Sequence, residues 1–188
     1  MRKRIKRGLE TALEQVLTNS YKSGMISYMA THPEDFEEAI QLAISYKQPY
    51  SCRAAWLLWS IIEVNDPRIK GSVKDIIGII SIRNDDHQRE LLKILQHMEL
   101  NEEYEGLLFN FCATVWKKIK KKPSVRLTAF KMMVKIAKNH PGLSREIILL
   151  AQDPYMVSLS ASAKKSVFEM ICEPYWPNID GPGMQCIE

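Results

Sequence analysis

The stretch that decides the fold is Pro49-Tyr-Ser-Cys-Arg53 running into Ala54-Ala-Trp-Leu-Leu-Trp-Ser-Ile-Ile-Glu-Val64, because its pattern returns along the chain. Asp85-Asp-His-Gln-Arg89 leads into ELLKILQHMEL, and Pro123-Ser-Val-Arg126 leads into LTAFKMMVKIA. The three arginines lie 36 and 37 residues apart, and a fainter copy places Lys164 of SASAKKSVFEMI 38 residues further on. Ser162 there matches Ser51 and Ser124, each two places before the basic residue. A period near 37 with two helices per unit is the signature of a helical solenoid, in which each unit buries its apolar face only against its neighbours.

Outward from these copies, apolar residues recur at three- and four-residue spacing and alternation with period two is almost absent, so strands are not expected. Pro33, Pro49, Pro67, Pro123, Pro141 and Pro154 punctuate the pattern where helices begin or have just ended. The predicted helices span about ten segments: 4–18, 21–31, 33–46, 50–64, 67–82, 85–98, 101–120, 123–139, 142–152 and 158–172. Short connections make neighbours antiparallel. The expected fold is therefore all-α, a right-handed α-α superhelix. Acidic residues Glu34, Asp35, Glu37 and Glu38 crowd the turn after Pro33, where the helix dipole favours them, and read as structural.

At 188 residues, 46% hydrophobic and 26% charged, the chain is expected to form one ordered domain. Residues 1–19 read as an N-terminal capping helix, 20–172 as helix pairs and 173–188 as an irregular cap in which Tyr175 and Trp176 fold back. The basic run Arg2 to Arg7 is followed by Glu10 and Glu14 where a signal peptide needs apolar residues, and no apolar stretch approaches the roughly 20 residues of a membrane span. A cytoplasmic protein is expected. Cys52, Cys112, Cys172 and Cys186 stand singly, as buried free thiols do, and neither they nor the four histidines show metal-ligand spacing. No catalytic, cofactor or metal site is predicted.

The segment SCRAAWLLWSIIEVNDPRIKGSVKDII resembles a HEAT-type unit: a polar lead, an arginine, small residues, an apolar run, an Asn-Asp-Pro turn and a second amphipathic helix. From about residue 20 to 172 the chain also resembles a family of small bacterial all-α proteins with an early RAAW segment, some of which carry the label adenylosuccinate lyase. That activity is not expected here. A lyase of that kind needs a serine- and glycine-rich loop with a Met-Pro-Lys-Asn pattern and a longer helical bundle.

Two groups of residues are candidates for contact with a partner. Arg53, Arg89 and Arg126 either form a structural ladder, each stacking on the next unit or pairing at a helix end, or line a groove that grips phosphate or carboxylate. Between Asn110 and Arg145 there is no Asp or Glu, while Lys117, Lys118, Lys121, Lys122, Lys131, Lys135 and Lys138 all fall within it. Such a one-signed field attracts anions, nucleic acid among them. Trp56 and Trp59 align with Leu92 and Leu95 of the next copy and are expected in the core. The resulting expectation is a non-enzymatic scaffold that binds a protein partner through its groove. The alternative is a nucleic-acid binder using the 117–145 stripe, resembling the HEAT-like DNA glycosylases, for which Asp66 and Asp75 near Trp56 are the only carboxylate candidates.

Overall fold

The computed structural model describes residues 10–172, and all regular secondary structure among them is helical. The elements are α1 (Ala12–Asn19), α2 (Lys22–Thr31), α3 (Phe36–Ile44), α4 (Tyr50–Ile61), α5 (Pro67–Lys70), α6 (Val73–Ile80), α7 (Asp85–Gln96), α8 (Glu102–Lys117), α9 (Pro123–Asn139), α10 (Ser144–Leu150), α11 (Asp153–Met156) and α12 (Ala161–Ile171). Short 3₁₀ turns at Pro33–Asp35 and Pro141–Leu143 precede α3 and α10. The expected caps over residues 173–188, including Tyr175 and Trp176, lie outside the described residues.

Local chemistry sets the helix starts. Thr11 and Glu14 form a capping box on α1, each side chain bonded to the other's backbone amide. This starts α1 at Ala12, so the predicted helix over 4–18 does not run through Thr11. Asn84, Asn101 and Ser160 accept amide hydrogens in the first turns of α7, α8 and α12. Prolines occupy the first turns of α5 and α9, where a missing N–H costs nothing. One predicted helix is two, since Gly71 and Ser72 separate α5 from α6 within 67–82, and the short α11 occupies what is predicted as the connection between 142–152 and 158–172.

The helices pack in two layers. One is α4, α7, α9 and α12, each against the next, with α1 and α2 against α4; the other is α3, α6, α8 and α10. The repeated arginines all belong to the first layer. The core runs between them through Leu57, Leu58, Leu91, Leu95, Phe130, Met133 and Val167, with Trp116 wholly buried against Phe130 at 4.6 Å between ring centres. Side chains also reach one repeat along the chain to bond a neighbour's backbone or carboxylates. The Gln96 amide donates to the Thr128 carbonyl at 3.0 Å and the Trp116 indole N–H to the Leu150 carbonyl at 2.6 Å, 32 and 34 residues away. At the end of α3, Arg83 donates to the Ile44 carbonyl and His87 Nε2 donates to that of Ala43. The bonds to Leu150, Ile44 and Ala43 satisfy helix-end carbonyls that would otherwise be orphaned on burial. They also fix the register between repeats.

The open sides of the two layers differ. On the α3–α6–α8 side, Glu37, Gln41, Lys74, Asp75, Glu103, Leu107 and Thr114 are exposed. On the α4–α7–α9 side, Trp56, Trp59, Arg89, Lys93, Gln96, Thr128 and Lys135 are all half-buried. That second face is the sheltered one.

Candidate partner-binding face

Arg126 does not reach the sheltered face. It is 0% exposed, and its Nε donates to the Trp116 carbonyl at 2.9 Å, one Nη to Ser158 Oγ at 2.6 Å and the other to the Tyr155 carbonyl. Its guanidinium lies 4.8 Å from the Trp116 ring centre. Burial pulls it below the ordinary arginine range, and no carboxylate opposes this. Arg53 is half-buried and donates to the Ser20 carbonyl at 2.6 Å, at the end of α1. Arg89 clasps the carboxylate of its own neighbour, Glu90, with Nε at 2.8 Å. The three arginines thus occupy equivalent positions and do three different jobs, so they do not line one groove.

Around Arg53 and Arg89 the face becomes aromatic. Trp56 and Trp59, expected in the core, are half-buried instead, packed edge to face with ring centres 6.0 Å apart. Each indole carries a cation: the Lys22 ammonium lies 4.9 Å from the Trp56 ring centre and that of Lys93 lies 3.9 Å from Trp59. The Trp59 N–H donates to Glu90 at 2.5 Å, and Lys93 lies 3.6 Å from the same carboxylate. Glu90 is 1% exposed, so this buried anion pins one tryptophan, one arginine and one lysine together. Beside them a cleft of about 620 Å³ is lined by Tyr21, Lys22, Met25, Arg53 and Trp56. Tyr21 there is 90% exposed. The nearby Cys52 thiol is raised by its burial and, secondarily, by the Glu90 charge.

The sequence reading passed over Glu90, yet a signal existed. Glu90 stands where the other copies carry Ala54 and Leu127, a carboxylate in an apolar column. Such a substitution needs local cations to offset the cost of burial, and Arg89 and Lys93 are those cations.

The lysines divide into two groups. Lys121 pairs with Asp85 at 2.5 Å and donates to Gln88 at 2.8 Å, and Lys122 pairs with Asp86 at 2.6 Å, so both tie α7 to the start of α9. Lys117 and Lys118 are exposed at the end of α8. Lys131, Lys135 and Lys138 sit further along α9 at helical spacing and share a second cleft, of about 330 Å³, with His97. Lys135 donates to the carbonyls of Gln96 and Met98, both at 2.7 Å, while Lys131 is exposed. From Lys122 to Lys138 the helix rises about 24 Å at 1.5 Å per residue, so the basic segment is not one patch. The two carboxylates considered beside Trp56 point elsewhere. Asp66 is held by Arg68 through Nε at 3.0 Å and Nη2 at 2.6 Å, and Asp75 is exposed on α6, in the other layer.

Among the described residues there is no cluster of three or more His, Cys, Asp or Glu side chains able to hold a metal ion, and no helix is long and apolar enough to cross a membrane. No curated protein and no solved structure matches the chain. The model of the HEAT repeat domain matches residues 9–171. With a family match over most of its length and helices that stack one repeat period apart, the chain belongs to the HEAT repeat family.

Proposed function

We propose that this HEAT repeat domain is a non-enzymatic scaffold that holds a protein partner on the α4–α7–α9 face, with Trp56 and Trp59 as the anchors. The observation that carries this reading is the half-buried tryptophan pair, since such rings are withdrawn from water only in part and would bury further surface beneath a partner. Tryptophan, tyrosine and arginine dominate the energetics of protein interfaces, and Trp56, Trp59, Tyr21, Arg53 and Arg89 gather here. The Trp59–Glu90 bond holds one ring in place before binding, which lowers the ordering cost. Lys22, Lys93, Arg53 and Arg89 against a single buried carboxylate favour a partner surface that is apolar at its centre and acidic at its rim.

A photo-crosslinking residue placed at position 56, compared with one at exposed Leu107 on α8, tests this in cells. The expected result is a specific adduct from position 56 alone, whose purified partner binds at least about tenfold more weakly to Trp59→Ala. Equal adducts from both positions, or an unchanged affinity, would overturn the proposal.

A second reading, nucleic-acid binding through the 117–145 segment, is favoured by the exposure of Lys117, Lys118 and Lys120. It is weakened by the pairing of Lys121 and Lys122 with Asp85 and Asp86. Duplex DNA titrated at low ionic strength decides it: phosphate contacts require affinity that falls steeply with salt.

A further inference from the structure

The turns that lead into α4, α7, α9 and α12 each carry an exposed apolar side chain: Tyr46, Ile82, Ile119 and Val157, between 44% and 69% exposed. They stand 36, 37 and 38 residues apart, the same intervals that separate Arg53, Arg89, Arg126 and Lys164. A single exposed apolar residue is ordinary, but one at the same place in four successive repeats makes a surface. Contacts between the turns set them side by side. Arg83 in the second turn reaches the first, its guanidinium 3.6 Å from the Tyr46 ring centre. The Lys122 amide donates to Asp85 at 2.9 Å, which joins the third turn to the second, and Arg126 at the start of α9 donates to Ser158 of the fourth at 2.6 Å. The four residues therefore share one edge of the stacked layers. Neighbouring helices lie about 8–10 Å apart, so the row extends over about 25–30 Å, longer than any pocket for a single side chain.

The charge around this row is positive. Lys117, Lys118 and Lys120 flank Ile119, are exposed and make no ion pair among the described residues. Lys121 and Lys122 already neutralise Asp85 and Asp86, Lys47 pairs with Glu14, and the segment leading into α12 holds one carboxylate, Asp153. None of the four apolar residues lines the clefts described above, so the edge projects its side chains and does not enclose a guest. Apolar tips set among cations match the boundary of an anionic bilayer, where apolar groups bury into the headgroup region and each nearby lysine adds about 1 kcal/mol of attraction. Tyrosine at one end suits the same boundary, since its ring is amphipathic.

We infer that this edge is a peripheral docking surface for an anionic lipid bilayer, with Tyr46, Ile82, Ile119 and Val157 placed among the headgroups and Lys117, Lys118 and Lys120 against lipid phosphates. The Trp56–Trp59 anchors take no part in it, so the two proposals stand or fall separately.

The test is cosedimentation of the whole chain with phosphatidylcholine vesicles, with and without about 30% phosphatidylserine. Partition into the anionic vesicles is expected, weakened about tenfold or more in Ile82→Gln/Ile119→Gln/Val157→Gln, because both apolar burial and lysine attraction hold the edge to the bilayer. Ile119→Gln alone, expected to weaken it about threefold, serves if the triple variant loses its helical circular dichroism. Val64→Gln/Leu107→Gln, at exposed apolar positions away from this edge, should bind as the wild type does. Four results overturn the inference: no partition into anionic vesicles, undiminished partition of the triple variant, equal weakening in the control, or self-association of the wild type that the triple variant abolishes without lipid, which would assign the edge to a second copy of the chain.

Discussion

Replacing Arg126 by methionine removes a charge from the interior while keeping most of the side-chain volume, and its consequence can be worked from the structure. The variant orphans the carbonyls of Trp116 and Tyr155, which the guanidinium satisfies in a site with no exposure. Each buried acceptor without a partner costs about 1–3 kcal/mol. Ser158 Oγ loses a donor and the Trp116 ring loses its cation at 4.8 Å. Against this, the folded protein no longer carries the desolvation cost of a buried cation, which offsets part of the loss. The net expectation is a destabilisation of about 3 kcal/mol. For a chain of this size that lowers Tm by about 6–12 °C. Urea unfolding followed by both circular dichroism and tryptophan fluorescence measures it, with Lys117→Gln as a surface control expected within about 0.5 kcal/mol of wild type. Arg126→Lys should fall between, since an ammonium keeps the charge but cannot serve three acceptors arranged around a planar fork. A loss below about 1 kcal/mol in Arg126→Met would refute the reasoning, because it would mean that those carbonyls do not depend on the guanidinium.

Mild acid should weaken the fold through its buried histidines. His87 and His97 are both held below the usual histidine range, chiefly by burial, so below about pH 6.5 the unfolded chain binds protons that the native chain refuses. Stability therefore falls as pH drops from 7 to 5.5, by up to about 1 kcal/mol per histidine, and His97→Gln should flatten that slope in urea titrations. Cys112 is wholly buried and its thiol is pushed well above the ordinary range, so an alkylating reagent should leave its peptide unmodified in the native protein and label it only after denaturation; labelling at the same rate as in urea would contradict this burial. Glu90→Gln removes the charge that pins Arg89 and Lys93 and weakens the acceptor of the Trp59 N–H. It should shift tryptophan fluorescence to longer wavelength, and an unchanged spectrum would show that Glu90 does not orient the ring.

The repeat was legible because it is written in periodicity. Arg53, Arg89 and Arg126 mark helices that stack on one another, and the apolar positions between them are the core, since a helix can bury only one stripe and the stripe must recur every 3.6 residues. Prolines marked several boundaries by local chemistry alone, while the break at Gly71 and Ser72 escaped notice because the apolar pattern continues across it. The fate of individual polar side chains was not legible. Equivalent arginines became a buried clamp on carbonyls, a bond to a helix end and a partner for Glu90, because what each meets is set by residues 10 to 33 positions away or by the next residue in the chain. The lysine-rich segment has the same history, since Lys121 and Lys122 found carboxylates 36 residues back and Lys131 did not. The amino-acid sequence by itself determined the helices, their period and the apolar seam that joins them. Only the tertiary structure decided which charges are spent on holding repeats together and which remain on the sheltered face, because charge pairing depends on distance in space and periodicity only on distance along the chain.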